Sequence, residues 1–255
     1  MNILAIANNK GGVGKTTSTQ NIGAAIGTFS NSRVLLVDLD PQANLSKSFG
    51  VYLEEGQPHV GTFLLGKSSL KDTIRTYKQS NIDVLPASID LVDEEDNLKK
   101  HPLFPFNLIR ALEKSKEEQQ YNFVVIDCPP ALGVLTTIAL AACDRYYVPL
   151  QAEYFSYEGL RNFVNYAHKI SAINPNIQLG GVFATRFNPK IKKNISRSLI
   201  QTAKEQLQEK FLETFVREDV ALTEAQANRE HIFDHDKESR GAQDYYNLTK
   251  EIILK

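Results

Sequence analysis

At 255 residues, 42% hydrophobic and 23% charged, the chain can bury a full core, and it reads as a single domain spanning 1–255. Its 29 basic and 30 acidic side chains leave a formal net charge of −1, which excludes a globally basic nucleic-acid binder and confines any DNA contact to a local patch. Two cysteines, Cys128 and Cys143, exclude a disulfide framework and fit no zinc spacing, so a reducing, cytoplasmic setting is expected.

The chain opens on an apolar run, Asn2 to Ala7, with no charged leader before it. No window approaches the roughly eighteen apolar residues of a membrane span, so the expectation is a protein neither exported nor membrane-spanning. Further β-prone runs follow at Arg33 to Val37, Ile82 to Leu85, Phe123 to Ile126, Tyr146 to Leu150, Gly181 to Ala184 and Phe211 to Val216. Helical patterns lie between them, at Thr16 to Phe29, Phe106 to Gln119, Gly133 to Ala142, Glu158 to Ile173 and Ser196 to Gln208. The strands are nearly continuous apolar runs rather than alternations, which predicts an α/β fold with a mostly parallel twisted sheet and helices on both faces. Ligands of such sheets bind at the carboxyl ends of the strands. The acidic run Asp93-Glu94-Glu95-Asp96 reads as a solvated helix face.

Behind the first strand stands Lys10-Gly11-Gly12-Val13-Gly14-Lys15-Thr16-Thr17. Glycines let the backbone curl around phosphate oxygens, and the helix that follows turns its N-terminal amides and positive end to the same point. Lys15 is placed to reach the β- and γ-phosphates, Thr16 to put its hydroxyl on Mg²⁺, and Thr17 to bond the α-phosphate. A glycine turn without function does not explain a Gly-Lys-Thr that follows a strand and opens a helix.

Two more strands end in acids. Val34 to Val37 runs into Asp38-Leu39-Asp40-Pro41-Gln42, and at strand spacing the two carboxylates share a face and point at the site, one towards Mg²⁺ and one towards a water. Phe123 to Ile126 runs into Asp127-Cys128-Pro129-Pro130, a Walker B layout whose Asp127 holds Mg²⁺ through water. Cys128 reads as a small buried filler.

The loop has Asn9 where the general P-loop has its first glycine, and it carries the additional Lys10. In this it resembles the deviant Walker A motif of the ParA/MinD family of P-loop NTPases. The segments Pro149 to Phe155, Glu158-Gly159-Leu160, Leu222-Thr223-Glu224-Ala225 and Ser239-Arg240-Gly241-Ala242 extend the resemblance to ParA-type partition ATPases over nearly the whole chain. The resemblance implies a Mg²⁺-dependent ATPase that forms a homodimer on ATP binding, with Lys10 reaching across to the partner's nucleotide, so that Lys10, Lys15 and Asp40 are the catalytic set. It implies that Asp40 orients the attacking water and that Asp38 lies nearer the metal shell. Where the family carries Ile-Pro-Arg beside the adenine, this chain has Phe215-Val216-Arg217-Glu218-Asp219, which replaces both the proline and the arginine. Adenine is expected between Thr185-Arg186-Phe187-Asn188 and that segment, with Arg186, Asn188, Phe215, Val216 and Arg217 as contacts.

From Arg186 to Lys204 the charged residues are all basic: Arg186, Lys190, Lys192, Lys193, Arg197 and Lys204. Lys190, Lys192, Lys193 and Arg197 are the expected contacts to nonspecific double-stranded DNA, through phosphates rather than bases. The chain begins at its first strand, so the helix-turn-helix extension of larger ParA proteins is not expected. By the resemblance, a ParB-like centromere-binding protein stimulates hydrolysis and releases the DNA, and the protein is nucleoid-associated. A MinD-like ATPase positioning a protein or membrane cargo is the alternative, but it needs a basic amphipathic C-terminal helix. Tyr245 to Lys255 has few cations and apolar residues suited to packing, so no stable membrane association is expected. An iron–sulfur reductase with the same loop would need a second cysteine beside the dimer axis.

Overall fold

The computed structural model of the chain describes residues 1–114, 121–151, 156–187 and 194–254. In chain order the first half comprises β1 (Asn2–Ile6), α1 (Lys15–Phe29), β2 (Val34–Asp38), α2 (Asn44–Ser48), α3 (Val60–Leu64), α4 (Leu70–Thr73), β3 (Arg75–Thr76), β4 (Ile82–Leu85), α5 (Leu91–Lys99) and α6 (Asn107–Lys114). The second half comprises β5 (Phe123–Asp127), α7 (Val134–Ala142), β6 (Arg145–Gln151), α8 (Ser156–Ile170), β7 (Gln178–Thr185), α9 (Asn194–Leu207), α10 (Val220–Ala227), α11 (Ile232–His235) and α12 (Arg240–Leu254). Among the described residues the strands form one seven-stranded sheet, ordered β3-β4-β2-β5-β1-β6-β7. Every pairing is parallel except β3 with β4.

The apolar runs explain the layers. Alternate residues of each central strand enter opposite cores: Ile3, Leu35, Val37, Val124 and Ile126 on one face, Leu4, Ile6, Val34, Leu36 and Val125 on the other. The first face is covered by α3 to α9, through residues such as Leu98, Leu112, Ile138 and Phe163. The second is covered by α1, α2 and the C-terminal helices, through Ile22, Leu45, Leu222, Tyr245 and Leu248. Both faces are buried, as a parallel sheet requires.

Helix α1 lies close on β2 because Gly23 has no side chain, and a Cβ there would meet the buried Leu36. Gly23→Leu is therefore expected to cost about 1–3 kcal/mol by overpacking, read as a lowered midpoint in thermal or urea unfolding.

Two expectations are corrected. Phe211 to Val216 is not a strand of the sheet: Leu212 N bonds Val182 O and Val216 N bonds Ala184 O, each at 2.8 Å, but the amides between them turn away. Glu213 N and Thr214 N instead donate to the Glu251 carboxylate of α12, both at 3.0 Å, which interrupts the ladder with β7. Strand β2 also ends at Asp38, so Asp40 lies in the following turn and the two acids do not share a strand face. The short antiparallel β3 and the helices α2, α3, α4, α10 and α11 lie outside the elements expected from periodicity. Helix α12 buries Ala242, Tyr245, Leu248 and Ile252, the packing expected of the chain end. No helix among the described residues is long and apolar enough to cross a membrane.

Candidate functional site

The parallel register brings three strand ends level: Ile6 pairs with Asp127, and Asp127 with Asp38. The loop that leaves β1 is tied down before it turns. Asn8 donates to Pro149 O at 2.8 Å and accepts from Lys10 N at 3.0 Å. Gly12 (φ 74°) and Gly14 (φ 85°) then adopt the left-handed conformation that a side chain resists. Gly14 is the N-cap of α1 and supplies no side chain to its first turn, so the helix amides face the cavity uncapped. Thr185 at the end of β7 donates to Val13 O at 2.9 Å and pins the loop from the far side.

Lys15 is 7% exposed, and its Nζ donates to Lys10 O at 2.9 Å. Burial lowers its pKa, against the raising pull of Asp127 and Asp40. A buried ammonium beside uncapped amides marks an anion site.

The three acids differ in surroundings. Asp127 is buried, with Oδ1 accepting from Thr19 at 3.3 Å and Oδ2 without a hydrogen-bond partner. Burial, then the charge of Asp38, holds its carboxyl well above the usual carboxylate range. An orphaned acceptor of this kind is what a cation satisfies. Asp38 is equally buried, but its Oδ2 accepts from Ser46 N (2.8 Å) and Ser46 Oγ (2.7 Å), and its Oδ1 from Asp40 N (3.1 Å). Burial still pushes its pKa up to about 6. Asp40 is half-buried on the cavity wall, where Oδ1 accepts from Gln42 N at 2.9 Å. Ala43, three residues on, is held at φ 53°, a strained backbone in the turn that carries Asp40.

These groups open on a cavity of about 880 Å³ that also reaches Thr16, Thr17, Arg186, Val216 and Arg217. Arg217 clamps Asp244 with Nε and NH2 (2.7–3.2 Å), and Arg186 pairs with Glu218 at 3.5 Å. Phe215 faces away from this cavity and stacks edge-on with Phe187, centroids 5.5 Å apart, beside α9. Asn188, Lys190, Lys192 and Lys193 lie outside the described residues, and Arg197 falls on α9 with its side chain outside them. Of the remaining basic stretch, Lys204 pairs with Glu213 at 3.0 Å. Tyr52, Lys47 and Gln226 also line the cavity. They come from loops and from α2 and α10, whose approach no local spacing announces.

The family described as AAA domain matches residues 1–179. The sporulation initiation inhibitor protein Soj of Bacillus subtilis is 36% identical over 98% of this chain and 97% of its own. The chromosome partitioning protein ParA of Caulobacter vibrioides is 32% identical over 99% and 94%. A solved structure described as cobyrinic acid a,c-diamide synthase of Mycobacterium smegmatis, with bound ADP and magnesium, superposes with a TM-score of 0.83 at 31% identity, covering 98% of this chain and 93% of that one.

Proposed function

The chain belongs to the ParA/Soj family of P-loop ATPases, and from that premise we propose that it is an ATP-driven DNA partition switch. The observation that carries the reading is the buried Lys15, set against uncapped helix amides and beside the partnerless Oδ2 of Asp127. Lys15 has three donors, so it holds the Lys10 carbonyl while offering the others to the β- and γ-phosphates. The amides of α1 and the hydroxyl of Thr17 take the phosphate chain from the other side. Thr16 and Asp127 would hold Mg²⁺, which neutralises charge on the β- and γ-phosphates. Asp38 supports the turn from behind, because both of its oxygens are occupied by Ser46 and Asp40. Asp40 stands at the cavity wall to orient the attacking water.

ATP binding closes a homodimer in which each Lys10 reaches the partner's nucleotide. The closed dimer binds double-stranded DNA nonspecifically through Lys190, Lys192, Lys193 and Arg197. A ParB-like partner stimulates hydrolysis, and the ADP form releases the DNA, so the protein resides on the nucleoid. For such a switch DNA must bind the ATP state more tightly than the ADP state. Adenine sits between Arg186 and the Val216 to Val220 segment, both of which line the cavity.

The phosphate-neutralising patch is tested by salt. Replacing Lys192, Lys193 and Arg197 together with Glu is expected to abolish DNA retention in ATP while ATP affinity is unchanged. Wild-type retention should fall steeply with salt, with a log–log slope of about −0.9 per phosphate contacted. Retention by the triple variant at low salt equal to wild type would place the DNA elsewhere.

A further inference from the structure

Behind the loop, three side chains form a relay whose direction is fixed by main-chain groups. Gln20 of α1 is buried, and its Nε2 reaches Ser48 O at 3.2 Å and Glu230 O at 2.9 Å. A carbonyl only accepts, so Gln20 presents its NH2 there and its Oε1 on the other side. That Oε1 meets Gln226 Nε2 of α10 at 3.4 Å, and the same nitrogen reaches Thr17 Oγ1 at 3.1 Å. Gln226 must therefore also present its NH2, and it donates to Thr17. A hydroxyl has one proton, and with a lone pair taken by the amide, that proton is left to donate elsewhere. Thr17 and Gln226 both line the cavity.

We propose that Gln226, held by Gln20, is a positioning residue that turns the Thr17 hydroxyl into a pre-set donor towards the nucleotide's phosphate chain. The inference rests on the ATP site proposed above and assigns it two residues outside the glycine loop. Preorganisation is the physical gain: Thr17 does not have to give up a bond to an internal acceptor when an anionic oxygen arrives. The relay also joins two cavity walls, since Ser48 closes α2 behind the Asp40 turn and Glu230 follows α10.

Gln226→Glu keeps the shape of the side chain but replaces the NH2 by an oxygen that only accepts. The Thr17 proton then turns to Glu, and a negative charge stands behind the phosphates. Binding of a fluorescent ATP analogue is measured for the wild type, Gln226→Glu, Gln226→Ala, Thr17→Ala and the double variant Thr17→Ala/Gln226→Ala, with thermal unfolding of each. The expected result is affinity weakened about tenfold to a hundredfold in Gln226→Glu and about three- to tenfold in Gln226→Ala. In the Thr17→Ala background, Gln226→Ala should cost nothing further, a coupling that a merely structural role does not produce. Affinity of Gln226→Glu equal to wild type overturns the inference, as does a fully additive double variant. A wild-type protein that fails to bind the analogue overturns the ATP site itself, a separate outcome from either.

Discussion

Lys10→Ala is expected to bind ATP with little loss and to hydrolyse it about a thousandfold or more slowly. The two halves of this expectation come from different parts of one residue. The main chain of Lys10 is fixed at both ends, its N–H on Asn8 Oδ1 and its carbonyl on Lys15 Nζ. Truncating the side chain leaves both bonds in place, so the cradle for the phosphates survives. The ammonium itself is proposed to act in the partner's site, where a cation supplied in trans to a phosphoryl-transfer transition state contributes about 10³–10⁵ in rate. A thousandfold corresponds to about 4 kcal/mol of barrier. The measurement is steady-state phosphate release beside equilibrium binding of an ATP analogue. Turnover at the wild-type rate would remove Lys10 from catalysis.

Asp40→Ala is expected to give a contrasting phenotype: ATP binding and DNA retention persist, while turnover falls about 10²–10⁴-fold. Asp40 holds its turn mainly through the backbone, with Ala43 N on its carbonyl at 2.8 Å and its own N–H on Asp38. The side-chain bond lost, from Gln42 N, is exposed and open to water. The turn therefore keeps its shape without the carboxylate proposed to orient the attacking water. DNA should stay bound for as long as ATP is present, whereas Lys10→Ala, which removes the cation proposed to act across the dimer, should lose retention as well. Equal loss of retention in both variants would show that Asp40 also serves dimer closure.

Much of the candidate site is legible in the sequence. The loop from Lys10 to Thr17 and the strand-ending Asp127 are local signals, in which spacing along the chain fixes spacing in space. The difference between Asp38 and Asp40 was not legible. A strand reading puts them on one face, but β2 stops at Asp38, and Ser46, eight residues on, returns to occupy its oxygens. Phe211 to Val216 has the composition of a strand, yet the bond that diverts it comes from Glu251, far along the chain. Gln226 was invisible for the same reason: its meaning lies in its hydrogen bonds to Thr17 and Gln20, more than two hundred residues earlier. Local motifs announce chemistry, whereas long-range hydrogen bonds decide which member of a motif is exposed to it.

The central claim is that the loop converts nucleotide state into DNA affinity through the dimer. Co-sedimentation of the purified chain with double-stranded DNA, in ATP, in ADP and without nucleotide, tests it most directly. The account predicts that the protein pellets with DNA in ATP and stays in the supernatant in the other two conditions. Equal retention in all three would contradict it.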